Sequence, residues 1–210
     1  MAIDRPEPGA EINLGEATVP RPAATVMLLR GGTERLEVLM VRRNPAARFM
    51  GGAWVFPGGA VDRSEGSGEA ALRAAALREL EEEAGIALPP GAELVPFARW
   101  VTPEQIKTRF DTWFFLAAAP DDVEPRVDAA EIVDFRWIAP ADALAAGAAG
   151  ELFLVFPTIK QLEQLGRFGS ALELLAHARG QEVAPIEPRV LMSGEEARIV
   201  LPGEPGYEAG

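Results

Sequence analysis

The spacing of apolar positions changes several times along the chain, and each change marks an element. Residues 23–30 (AATVMLLR) and 36–43 (LEVLMVRR) are short aliphatic runs on either side of Gly31-Gly32-Thr33-Glu34-Arg35, which predicts a β-hairpin. Residues 53–56 predict a short strand that delivers the glycine turn Phe56-Pro57-Gly58-Gly59. A helix is expected from near residue 68 to residue 84, closed by Gly85 as a left-handed cap, with Pro89-Pro90 beyond it. Strands follow at 94–101 and 112–118, and Pro96 places an edge or a bulge in the first of them. Residues 131–138 (EIVDFRWI) alternate polar and apolar, as a half-buried strand does. Pro140 opens an Ala-rich helix, Pro157-Thr158 opens another, in which Ile159, Leu162 and Leu165 keep helical spacing, and residues 171–178 extend the helical region.

These elements divide the chain into an extended Pro- and Gly-rich arm over residues 1–21, a domain over 22–181, and an extension over 182–210 that packs on the domain or on a partner chain, a homodimer being possible. Their order is too irregular for a barrel or a doubly wound sheet. The fold class is therefore α/β in the broad sense, including α+β: helices layered on a sheet.

The helix at 68–84 carries the candidate chemistry. At about 100° per residue, Glu79, Glu82 and Glu83 fall within one arc of roughly 100°, whereas Leu77, Leu80 and Ala84 fall opposite. An acidic face and a packing face are the expected result. Three neighbouring carboxylates near a helix C-terminus repel each other and oppose the macrodipole, so a cation is expected to compensate them. Clustered carboxylate oxygens are hard ligands suited to Mg²⁺ or Mn²⁺. A run of glutamates can equally be a solvated face, and a Gly-Gly pair an ordinary turn. Their combination with Arg78 and Gly85 is what favours a site.

Composition narrows the chemistry further. The chain has 210 residues, 48% hydrophobic and 25% charged, with a net charge of −12. Without a Lys/Arg cluster that charge argues against DNA or RNA as partner and leaves room for a small anion arriving with metal ions. There is no cysteine, so thiolate metal sites and cysteine nucleophiles are excluded. The single histidine, His177, lies in an Ala- and Leu-rich helix and reads as a helix-face residue. No run has the length of a membrane span and residues 1–9 lack a signal-peptide core, so a cytoplasmic location is expected.

From Arg78 to Ile86 the chain resembles the Nudix box, whose pattern is Gly, five residues, Glu, seven residues, Arg-Glu, an aliphatic, any residue, Glu-Glu, any residue, Gly, an aliphatic. Between Gly59 and Arg78 lie eighteen residues where the pattern has thirteen; the loop at residues 62–68 is expected to carry the insertion of five, and Ala70 falls where the first Glu is due. The resemblance implies an α/β/α sandwich with a mixed sheet, and hydrolysis of a nucleoside diphosphate linked to another moiety. It further implies Glu79, Glu82 and Glu83 as ligands of divalent ions, a backbone carbonyl of Gly58 or Gly59 beside them, and Arg78 orienting a glutamate. A further carboxylate is expected ahead of the strand bearing Trp137. Glu131 has that place, with Asp134 and Asp111 as competitors.

Upstream, Arg43, Arg48, Gly52 and Phe56-Pro57-Gly58-Gly59 resemble the signature of coenzyme A diphosphatases. Pro22-Ala23-Ala24-Thr25, Arg109-Phe110-Asp111-Thr112 and Leu201-Pro202-Gly203 are similar to the subfamily of the mammalian peroxisomal enzyme of that activity. This implies coenzyme A or an acyl-coenzyme A as substrate, with Arg43 and Arg48 on its phosphates through their guanidinium forks. Two rival readings stand beside it: the same family acting on ADP-ribose or another nucleotide sugar, and an idle binding module.

Overall fold

The computed structural model describes residues 11–13, 15–127, 129–193 and 196–209. In chain order the strands and helices are β1 (Arg21–Arg30), β2 (Glu37–Arg43), β3 (Trp54–Val55), β4 (Gly58–Ala60), α1 (Glu69–Ala84), β5 (Val95–Val101), β6 (Phe110–Ala118), β7 (Ile132–Ile138), α2 (Pro140–Ala148), α3 (Phe156–Leu165), α4 (Ala171–Ala178), β8 (Pro185–Ile186), β9 (Arg189–Ser193) and β10 (Glu196–Val200).

β1 is the centre of the sheet because its aliphatic run can be buried on both faces. It pairs antiparallel with β2, as the hairpin reading requires, and parallel with β6 over nine residue pairs, from Arg21↔Phe110 to Leu29↔Ala118. The path β3-β2-β1-β6-β5-β8 is completed by β4 on β1 and β7 on β2, giving a mixed sheet. Period-2 alternation then sorts the core. Ala24, Val26 and Leu28 of β1 meet Ala76, Leu80 and Ala84 of α1 on one face, while Met27 and Leu29 meet Phe156, Leu162 and Leu174 of α3 and α4 on the other. Helices on both faces of a mixed sheet make the α/β/α sandwich that the box resemblance implies.

Pro96 sits at a register shift between Pro96 and Ala98, the bulge expected there. Three features differ from the sequence reading. Phe56-Pro57-Gly58-Gly59 is not a turn: Gly58–Ala60 forms β4, antiparallel to β1, with Val26 N–H donating to Pro57 O at 2.8 Å and Val61 N–H to Pro22 O at 2.9 Å. Residues 156–165 and 171–178 form separate helices, and the second is capped by Ser170, whose Oγ accepts from Glu173 N–H. The two faces of α1 are also not opposite. Leu77 is 37% exposed, whereas Glu83 is 5% exposed and lies within the buried side of the helix.

The C-terminal segment adds β8 to the sheet beside β5 and folds β9 and β10 into a hairpin. Residues 11–13 run along the β5–β6 connection, with Asn13 N–H donating to Gln105 O and Lys107 N–H to Glu11 O. Residues 1–10 of the expected arm lie outside the described residues. No helix among the described residues is long and apolar enough to cross a membrane.

Candidate active site

Glycine in β4 decides how α1 sits. Gly59 pairs with Ala24 and so faces α1, where a Cβ on it would collide with the Glu79 carboxylate. Gly58 pairs with Thr25, and its N–H donates to Glu83 Oε2 at 2.9 Å. Neither glycine has a positive φ. What they supply is close approach: with no side chain at Gly58 or Gly59, the carboxylates of Glu79 and Glu83 settle directly on the β4 backbone. The turn expected at these glycines is therefore replaced by a strand whose glycines supply clearance.

Arg78 spans the outer side of the same site. Its Nη1 donates to Glu79 Oε1 at 2.7 Å and to Glu82 Oε2 at 3.0 Å, its Nη2 to Ala60 O at 3.0 Å, and its Nε to Glu65 Oε1 at 3.1 Å. The guanidinium ties the helix to β4 and fixes two carboxylates, and each of its nitrogens is engaged in doing so. The carboxylates hold its pKa above the ordinary arginine range.

Glu65 is missed by the sequence reading. It ends the one-turn helix Arg63–Glu65 that follows Asp62, accepts from Asp62 N–H at 2.6 Å, and holds Arg78. Counting forward from Gly59, five residues and then Glu65 satisfy the first half of the box, so the insertion lies after Glu65 and not before it. Counting back from Arg78 puts that position on Ala70 instead. Glu69 is turned to Arg73, with Nη2 to Oε1 at 2.7 Å.

Glu83 is buried between Gly58 N–H and Arg43, whose Nη1 is 3.6 Å from Oε1. Burial pushes its carboxyl up to about 7; Gly58 N–H and Arg43 oppose the rise, and the charges of Glu79 and Glu131 add to it. Glu79 is also raised, first by burial, with Arg78 opposing and Glu82 and Glu131 adding. Glu131 therefore lies within electrostatic reach of both. The backbone explains how: Ile132 is the register partner of Arg43, Asn44 N–H donates to Glu131 O at 2.7 Å, and Asn44 Nδ2 donates to Ala130 O at 2.7 Å. Asp111 accepts from Nε and Nη2 of Arg99, at 2.8 and 2.7 Å, and Asp134 accepts from Phe135 N–H.

The three box glutamates are not a ready-made cage. Among the described residues no three carboxylates lie close enough to enclose an ion; Glu82 is mostly exposed and joins Glu79 through Arg78. The donors nevertheless suit a hard divalent cation: two carboxylates raised first by burial and then by neighbouring carboxylate charge, set against two glycines that keep side chains out of their way.

On the other sheet face the same strand borders a cavity of about 360 Å³. Phe49, Phe56, Trp100, Phe110, Phe114 and Phe156 dominate its wall, Thr25 and Thr112 are polar points, and its cations are Arg21 and Arg43. Arg48 is not part of that wall. It is 94% exposed on the same loop as Phe49 and has Glu11 at 3.4 Å. His177 is exposed on α4 against the Phe168 ring.

An α/β/α sandwich that seats an Arg-Glu, Glu-Glu helix on a glycine strand defines a Nudix domain, and a NUDIX domain model matches residues 19–157. The chain belongs to the Nudix family. It is 28% identical over 183 residues to the putative nudix hydrolase 7 of Caenorhabditis elegans and 29% identical over 119 residues to the human acyl-coenzyme A diphosphatase NUDT19. Those matches cover 70% and 55% of this chain but 61% and 30% of the two relatives. Among solved structures, a NUDIX hydrolase from Alicyclobacillus acidocaldarius superposes with a TM-score of 0.66 at 30% identity, covering 76% of this chain and 96% of that one. The NUDIX domain of Shewanella oneidensis NrtR, solved with ADP ribose, shares the fold at a TM-score of 0.53 and 22% identity.

Proposed function

We propose that the protein is a metal-dependent hydrolase of a nucleoside diphosphate linked to a second moiety, most readily coenzyme A or an acyl-coenzyme A. One observation carries this: β4 has the buried Glu83 and the half-buried Glu79 on one side and an aromatic cavity on the other, so a diphosphate at the glutamates leaves an apolar arm beside the cavity. Glu79, Glu82 and Glu83 with the Gly59 carbonyl would hold Mg²⁺ or Mn²⁺, which when bound supplies Lewis acidity and offsets the diphosphate charge. Arg78 fixes Glu79 and Glu82 in place. Arg43 gives the buried Glu83 a counter-charge at 3.6 Å and contributes a cation to the cavity wall, where a phosphate could meet it. Glu131, whose charge already acts on Glu79 and Glu83, is the group to accept a proton from the attacking water. Arg48, exposed and next in the chain to the cavity residue Phe49, is the cation proposed for an extra phosphate of the nucleotide.

The likeness to the human acyl-coenzyme A diphosphatase supports the substrate, and the raised, crowded carboxylates speak against an idle module. Product identification by mass spectrometry, with coenzyme A, dephospho-coenzyme A and ADP-ribose supplied in parallel, tests the reading. Coenzyme A should yield adenosine 3′,5′-bisphosphate and 4′-phosphopantetheine. Arg48→Ala should narrow the preference for coenzyme A over its dephospho form by roughly tenfold or more. Cleavage of ADP-ribose with coenzyme A untouched would refute the substrate and leave the reaction class standing.

A further inference from the structure

We infer that Arg109 and Glu187 form a latch that sets the C-terminal segment as one wall of the cavity, making Arg109 a positioning residue for the apolar arm of the substrate. The inference rests on the functional reading above for its substrate, and on the following geometry for its mechanism. Arg109 is 6% exposed, and its three donor groups reach three separate segments: Nε to Thr102 O at 2.8 Å, Nη1 to Thr18 O at 2.8 Å, and Nη2 to Glu187 Oε1 at 2.7 Å. Two neutral carbonyls satisfy hydrogen bonds but leave the charge of a buried guanidinium uncompensated. Glu187 supplies the opposite charge, and it does so from the tail.

Each partner stands next to a cavity residue. Phe110 follows Arg109 and Pro188 follows Glu187, and both line the cavity; Val190 and Ile199 of the β9–β10 hairpin continue the same wall. Further bonds secure the far end of the tail: Tyr207 Oη donates to Glu187 O at 2.9 Å, and Arg189 Nη1 donates to Tyr207 O at 2.6 Å with its guanidinium over the Tyr207 ring. β8 itself pairs over only two residues, Arg99↔Pro185 and Trp100↔Ile186. So short a ladder needs these additional contacts to hold the wall in place. None of these bonds involves Glu79, Glu82, Glu83 or Glu131, so loosening the latch acts on the arm and spares the diphosphate site.

Glu187→Ala is the test, because Glu187 is half exposed and its loss leaves Arg109 its two carbonyl bonds. With Mg²⁺ present, KM for a medium-chain acyl-coenzyme A should rise roughly tenfold, the loss of one charge-assisted bond, while kcat and the inhibition constant of ADP, which has a diphosphate and no arm, stay unchanged. Glu187→Gln, which keeps a neutral acceptor, should recover part of the affinity. Hydrogen exchange should speed up in residues 185–201 and not in α1. A change of the same size for ADP, or tail exchange equal to wild type, overturns the latch. Should the wild-type protein hydrolyse no acyl-coenzyme A, the functional reading fails on the wild type alone, and tail exchange in the variant still decides whether the latch holds the wall.

Discussion

Replacing Glu83 by glutamine separates what a buried carboxylate costs the fold from what it contributes to the site. Burial raises its folded pKa from 4.5 to about 7. In the metal-free protein the folded state therefore binds more protons than the unfolded chain in this window. Stability from this group is fully present below pH 4.5 and is lost as pH rises through 7, about 3 kcal/mol in all. Between about pH 5 and 8 the loss is on the order of 2–3 kcal/mol. In Glu83→Gln the new amide can still accept the Gly58 N–H, and it leaves Arg43 facing a neutral group. That second change is independent of pH in this range, so it shifts the whole curve and cancels in the difference between two pH values. Urea unfolding of both proteins in chelator at about pH 5 and about pH 8 measures it. The wild type should lose on the order of 2–3 kcal/mol more than Glu83→Gln across that interval. At the higher pH, saturating Mg²⁺ should stabilise the wild type far more than the variant, and the variant should be inactive. Parallel pH dependences in the two proteins would refute the assignment of a raised, buried carboxylate to this position.

Gly59→Ala should cost activity rather than stability, because its Cβ displaces the movable end of Glu79; misplacing that group is worth about a hundredfold in kcat. Gly58→Ala should do the reverse in unfolding assays, losing about 1–3 kcal/mol, since its Cβ would stand 2.6 Å from Ala24 O and 2.7 Å from Thr25 Cα, which are backbone. Comparing Tm and kcat of the two variants checks both, and equal effects would contradict the clearance argument. Glu131→Gln should lower kcat by about 10²–10⁴ with little change in KM, as loss of a proton acceptor does. Steady-state kinetics in which KM alone rises would remove Glu131 from the chemistry.

Much of this molecule is local, and the sequence determined that part. The 23–30 and 36–43 runs could bury both faces only as inner strands, Gly85 could end α1 because it tolerates φ +65°, and Pro96 could lie in a strand only at an irregularity. Arg78 and its neighbours could be recognised because their spacing is a property of one helix. What the tertiary structure decided involves pairs that the chain brings together from a distance. A helical projection places Glu83 opposite the packing side; only the glycine strand β4, docked beneath α1, allows a carboxylate to be buried there. Glu65 reaches Arg78 across a separation of 13 residues because the one-turn helix at residues 63–65 folds back, which linear spacing counted from Arg78 could not register. The cavity is the extreme case: its walls come from β1, β6, the N-terminus of α3 and the C-terminal hairpin. No local period encodes it, because each of those side chains is covered by partners from distant parts of the chain.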